Sequence, residues 1–254
     1  MHVVIDEGQD FGRKAINDTG ILEMLYELVR MKPKGTMYLF YDRRQLIQAG
    51  DIPSFVDKAD SKITLYVNCR NTEPIANCSM NAIGDSESID IHPELRIGRA
   101  PKILITNNLR DQEEYIDDQI NELHAFGVDE IVILTCKTVQ RSCLSALFIE
   151  KSRGLCWKRT NVPVYTCRTF KGLEAQAVIL IDVDECLWTD DGEYDAGHGM
   201  LFYTGASRAK HELRILCNMN DSGCKVILEH LGIQGRNKPR KKLAKELNAD
   251  LVRL

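Results

Sequence analysis

At 254 residues the chain can hold one large domain or two small ones, with ample core. Its 44% hydrophobic and 28% charged residues are ordinary for a soluble globular protein. The net charge of −4 leaves no global nucleic-acid signature, so any such binding must come from local patches. The nine cysteines are an odd number without a Cys-x-x-Cys pair, which argues against a disulfide framework or a zinc knuckle. They read as reduced thiols of a cytosolic (cytoplasmic) protein. No run approaches the roughly 18 apolar residues of a membrane span, so no membrane partner is expected. Asp6 and Glu7 follow the start too closely for a signal peptide.

Strands and helices alternate along the chain. His2 to Ile5 reads as a short apolar strand, and Ile21 to Val29 as an amphipathic helix. Pro33 and Gly35 break the chain before a strand over Thr36 to Tyr41. Ile63 to Val67 is expected to be a strand and Thr72 to Ala82 a helix. Gly84 to Arg99 is a polar connector. Lys102 to Thr106 reads as a strand, Asp111 to Phe126 as a helix and Ile131 to Thr135 as a strand. Ala177 to Ile181 and His211 to Leu216 are the last apolar strands. Such alternation predicts α/β architecture, with parallel sheets covered by helices. Continuous apolar runs fit strands buried on both faces. In the tail, Leu243, Leu247 and Leu251 fall at four-residue spacing among lysines and arginines, which suits a basic amphipathic helix. Such a helix could contact nucleic acid or pack its leucines on the preceding domain.

Chemistry gathers at the strand ends. The first strand runs into Asp6-Glu7-Gly8-Gln9-Asp10. Ligands in open α/β sheets bind beyond the carboxyl ends of strands. A first carboxylate there can hold Mg²⁺ through its water shell, and a second can orient or deprotonate an attacking water. For an isolated Asp-Glu pair, an acidic turn is the plainer reading. The next strand ends in Asp42-Arg43-Arg44-Gln45-Leu46-Ile47. Asn68-Cys69-Arg70-Asn71-Thr72 follows, and Arg70 offers the fixed charge and forked donors that suit a phosphate. Thr166-Cys167-Arg168-Thr169-Phe170-Lys171-Gly172-Leu173-Glu174 then leads into an apolar strand. Leu201 to Lys210 contains Gly205-Ala206-Ser207-Arg208. Singly these are weak signals. Five in one order is a strong one.

In that order the strings resemble the motifs of the UvrD/Rep branch of superfamily 1 helicases, over nearly the whole chain to about Leu216. The resemblance implies that Asp6 is the magnesium ligand, Glu7 the general base and Gln9 a coupler between nucleotide and nucleic acid. By the same match Gln45 senses the terminal phosphate, Arg70 reaches the γ-phosphate and Arg208 is an arginine finger. Glu174 accepts a hydrogen bond from the ribose. Thr166, Arg168, Thr169, Lys171 and Gly172 meet the nucleic-acid backbone, with Gly172 letting the main chain approach closely. The implied ligands are ATP, Mg²⁺ and single-stranded or partly duplex DNA. The sequence departs from the pattern at Gly8 (alanine in the family), Tyr41 (glycine), Gln48 (a base-stacking aromatic), Arg168 (histidine) and Ala175 (an aromatic). The site residues are expected to converge on one cleft, all at carboxyl edges of strands or adjoining loops.

The P-loop pattern Gly-x-x-x-x-Gly-Lys-Ser/Thr does not occur. The resemblance therefore implies one partial RecA-like lobe at about 1–61, one complete lobe at about 62–218, and a basic helical tail at 219–254. A polypeptide supplying the P-loop part is then an expected partner, and the chain alone is expected not to turn over ATP. The competing reading is a non-catalytic nucleic-acid-binding or partner-binding remnant.

Overall fold

The computed structural model describes residues 1–8, 20–42, 54–85, 90–158, 160–189, 197–234 and 237–253. It divides into two compact units, one built on Met1–Leu65 and the other on Tyr66–Asp191 with Gly197–Leu254. No described helix is long and apolar enough to cross a membrane. All nine cysteines are free and six are buried.

The first unit is a small parallel pair. β1 (His2–Ile5) and β2 (Thr36–Leu39) run in register from His2 opposite Thr36 to Ile5 opposite Leu39. Between them α1 (Ile21–Arg30) buries Leu22 and Val29, the inward positions of its apolar stripe. Tyr26 of α1 stacks on Phe55 with ring centroids 4.3 Å apart. The Gly8 amide donates to the Phe40 carbonyl at 2.8 Å, so the turn after β1 lies tight against β2. A Cβ at Gly8 would strike the Leu39 side chain. An alanine there, which the resemblance leads one to expect, would need the Leu39 side chain to shift.

The second unit is a six-stranded, all-parallel sheet. Its strands are β5 (Lys102–Ile105), β6 (Ile131–Thr135), β9 (Val164–Thr166), β10 (Ala175–Val183), β11 (Ala209–Cys217) and β12 (Asp250–Leu251), once β3 (Val67–Asn68), β4 (Asp90–Ile91), β7 (Phe148–Lys151) and β8 (Gly154–Trp157) are counted in chain order. The spatial order is β12-β5-β11-β10-β6-β9. Alternation along the central strand sorts the two faces. Ala177, Ile179 and Ile181 pack with Tyr115, Ile116 and Leu123 of α3 (Leu109–Ala125). Val178 and Leu180 turn to the other face, where α2 (Glu73–Ala82) and α4 (Met200–Ala206) contact each other and β11. α5 (Asp221–His230) and α6 (Pro239–Glu246) extend that second layer. Both faces of the sheet are covered, as all-parallel strands require.

Two expectations differ from what is observed, and one element had no expectation at all. Ile63 to Val67 is not a strand: β3 is only Val67–Asn68, and Ile63 and Leu65 are 87% and 89% exposed. Among the described residues they have no partner strand, so their apolar pattern is left without a ladder. The segment Phe148 to Trp157 forms an antiparallel hairpin, β7–β8, whose Trp157 donates its indole N–H to Asp117 at 2.7 Å. The tail is not one basic helix. Asn248 takes a left-handed φ of 51°, a conformation asparagine tolerates, and stops α6. Leu251 then enters β12 and pairs in parallel with β5. Leu243 and Leu247 are buried within the second unit, one of the two roles expected of the tail.

Candidate functional site

The charged network of the second unit starts from a local turn. The Asn68 side chain accepts from the amides of Arg70 (2.8 Å) and Asn71 (3.0 Å), an Asx turn that needs no distant partner. Buried Asn71 then donates its amide group to the carbonyls of Ser207 (2.9 Å) and Ala209 (2.6 Å), and the Thr72 amide donates to the Lys210 carbonyl. The turn is thereby fastened along the approach to β11. Ala175 pairs with Ala209 in the parallel register, so Glu174 and Lys210 arrive side by side.

The Glu174 carboxylate is held at both oxygens. Lys210 Nζ lies 2.6 Å from Oε1 and Arg70 Nε 3.1 Å from Oε2. The Lys210 hydrogen bond holds the Glu174 carboxyl below the usual carboxylate range, helped by the charges of Lys210 and Arg70 against an opposing desolvation. In return Glu174 raises the Lys210 ammonium. Arg208 lies beneath this pair and is 1% exposed. Its Nε donates to the Thr204 carbonyl at 3.1 Å, at the carboxyl end of α4, where a cation is favoured. In this structure Arg208 is an interior group, not one displayed to solvent.

The placement corrects one expectation. Glu174 and Arg208 immediately precede β10 and β11, so they lie at the amino ends of those strands, not at carboxyl edges. The rule for ligands at carboxyl edges concerns loops that leave strands. These loops enter them. Asp6 and Glu7, by contrast, do follow β1. The two groups belong to different compact units. Gln9 and Gln45 lie outside the described residues.

Thr166 to Gly172 carries the remaining candidates. The hydroxyls of Thr166 and Thr169 lie 3.0 Å apart, and each accepts the other's backbone amide at 3.1 Å. Buried Cys167 and Phe170 pin the loop, while Arg168 and Lys171 remain half-exposed. Gly172 has φ +84°, and nothing lies within 4 Å of the place a Cβ would take. The left-handed backbone, not a close approach, is therefore what demands glycine there. Lys210 and Asn71 are the residues that motif reading missed. Their signal lay in the register, since a lysine just inside one parallel strand meets the residue just outside its neighbour.

In the first unit Asp6 is exposed and accepts the Glu7 amide at 2.9 Å. Glu7 takes a φ of +52°, uncommon for a residue with a side chain. Among the described residues no group of three or more His, Cys, Asp or Glu side chains could hold a metal. Mg²⁺ relies on substrate phosphates for much of its coordination, so Asp6 would supply only part of such a shell.

Fold and network together define a parallel α/β domain with a carboxylate gripped by two cations at the amino edge of its sheet. Residues 161–216 match the family model of the UvrD-like helicase C-terminal domain, a span that contains Thr166 to Glu174 and Leu201 to Lys210. The resemblance to the UvrD/Rep helicases is therefore shown through those two strings. No curated protein matches the chain. Among solved structures, the C-terminal domain of a possible DNA helicase from Lactobacillus plantarum WCFS1 is similar at 21% identity, with 58% of this chain and 86% of that chain covered and a TM-score of 0.42.

Proposed function

We propose that the chain is part of an ATP-dependent DNA helicase or translocase of the UvrD/Rep type, with 62–218 as its second, RecA-like lobe and 1–61 as part of the first. The observation that carries this reading is the Arg70–Glu174–Lys210 network. Two of its residues come from strings inside the family-matched span, and the third comes from a separate string that the resemblance independently marks as phosphate-facing. In this reading Glu174, fixed by two cations, presents a hydrogen-bond acceptor to a ribose. Arg70 turns from Glu174 to phosphate when nucleotide arrives, and Arg168 and Lys171 follow the strand's phosphates.

ATP turnover in this proposal requires a phosphate cradle that these 254 residues do not encode, since the P-loop pattern is absent. That absence favours a second reading for the isolated chain, a nucleic-acid-binding module without catalysis. Two measurements separate the outcomes. Fluorescence anisotropy with single-stranded DNA is expected to give weak binding that falls steeply with salt. Replacing Arg168 and Lys171 by alanine is expected to flatten the slope of log K against log salt by about 1.4, at roughly 0.7 per phosphate contact. An unchanged slope sinks the strand assignment. An ATPase assay on the same chain is expected to show no DNA-stimulated turnover. Robust turnover abolished by Glu7→Gln would overturn the statement that the cradle lies elsewhere.

A further inference from the structure

On the opposite edge of the sheet from the Glu174 network, a cleft of about 560 Å³ opens where β5 and β12 end. Its floor is apolar: Leu104 and Ile105 close β5, and Leu251 and Val252 come from β12 and the residue after it. Its walls are the first turns of three helices, represented by Asp111 of α3, Asp221 of α5 and Pro239 of α6. α3 covers one face of the sheet and α5 with α6 the other, so their starts part at this edge and leave a crevice. That is where open parallel sheets bind ligands. The motif-bearing strings contribute nothing to it.

The rim is cationic. Lys238, Arg240, Lys241 and Arg253 line the cleft against two acids, Asp111 and Asp221. Both acids have partners: Arg240 Nε lies 2.6 Å from Asp221 Oδ1, and Asp111 Oδ2 accepts the Thr106 hydroxyl at 3.3 Å. Arg240 also donates to the Ile105 carbonyl at 3.0 Å, so it acts as a brace between α6, α5 and the end of β5. Lys238, Lys241 and Arg253 make no ion pair with a described residue, and all three are exposed. Three uncommitted cations therefore face one concavity in a chain whose net charge is −4.

An apolar floor below a cationic rim, with room for a nucleotide-sized molecule, selects a ligand that is flat and apolar at one end and anionic at the other. We propose that this cleft binds one nucleotide, its phosphate against Lys238, Lys241 and Arg253 and its base over the half-buried Leu251 and Val252. The nucleotide is either free or one unit of a single strand, since the chemistry recognised is the same. The inference does not depend on the helicase reading, because none of its residues belongs to the Arg70–Glu174–Lys210 network or to the Arg168–Lys171 strip.

The test is a calorimetric titration of the full chain with AMP and, separately, with a short oligothymidylate. The comparison variant is Lys238→Asn/Lys241→Ala/Arg253→Ala. Asparagine is chosen at 238 because that residue has φ +52°, which asparagine tolerates. Arg240 is kept because it braces the fold. A second variant, Lys241→Glu, reverses one exposed charge on the surface of α6. AMP binding weakened roughly tenfold or more in both variants establishes a site for the free nucleotide. Binding of the oligonucleotide alone, weakened likewise in both variants but additively with Arg168→Ala/Lys171→Ala, establishes a strand subsite. Binding of neither ligand, or unchanged binding in the triple variant with an unaltered circular dichroism spectrum, overturns the proposal. Loss through Arg168 and Lys171 alone would leave the helicase reading standing and remove only the cleft.

Discussion

β1 and β10 look alike as sequence, each an apolar run that ends at an acid, yet they end in unlike surroundings. β10 has a parallel neighbour on both sides and a helical layer on both faces, and every residue from Ala177 to Val183 is buried. β1 pairs with β2 alone among the described residues, and Val4 is 67% exposed with Tyr38 opposite it at 57%. A strand's own pattern thus records what it is able to bury, while its neighbours decide what it does bury. The larger sheet even encloses charge. Arg214, 1% exposed, holds Gln119 at 2.8 Å and Glu212 at 2.8 Å, and Arg99 holds the other Glu212 oxygen at 3.3 Å.

If enclosure is what separates the two sheets, the greatest loss should come from Arg214→Ala. It leaves buried Gln119 without its donor and buried Glu212 with the more exposed Arg99 alone, which costs about 3–5 kcal/mol in urea unfolding. A cost near zero would mean that the interior of the larger sheet is wetter than its burial states. Ile179→Ala, in the core with α3, is expected to cost about 2–5 kcal/mol by lost transfer energy and cavity. Asn248→Ala should cost about 1 kcal/mol, because alanine resists the left-handed turn that frees β12 to pair. Val4→Ala, the counterpart of Ile179→Ala in the smaller sheet, is expected to stay within about 0.5 kcal/mol. An equal cost at Val4 and Ile179 would abolish the contrast.

The smallest effect concerns pH. Glu174 titrates lower in the folded chain than in the unfolded one, so its contribution is present above the unfolded carboxylate value of about 4.3 and fades as pH falls through the folded value. Wild type and Glu174→Gln should therefore differ slightly in urea midpoint near pH 6 and converge in acid. Divergence on acidification would reverse the sign and refute the pairing with Lys210.

Much of the fold was legible because its signals are local. Ile131 to Thr135 is a strand at its expected bounds, and α3 begins only two residues early, because the Asn108 side chain caps it at the Arg110 amide. What escaped depends on distant partners. β9 is three residues long and is a strand only because β6 lies beside it. Leu251 continues the helical spacing of Leu243 and Leu247, and a backbone turn at Asn248 overrides that spacing. At the candidate site the strings named Arg70, Glu174 and Arg208, but not the edge of the sheet on which they stand. Whether a loop enters or leaves its strand was written in the order of residues. The general rule about carboxyl edges obscured it.

One consequence of β12 concerns synthesis. Its partner β5 precedes it by about 150 residues, and β11 covers only the other side of β5. At roughly 5–20 residues per second, Lys102 and Ile103 wait about 7 to 30 seconds on the ribosome before Asp250 and Leu251 exist. During that interval β5 presents bare amides and carbonyls beside an apolar floor, an invitation to any nascent neighbour on the same message. Crowded translation is then a condition under which this edge is open to misassembly.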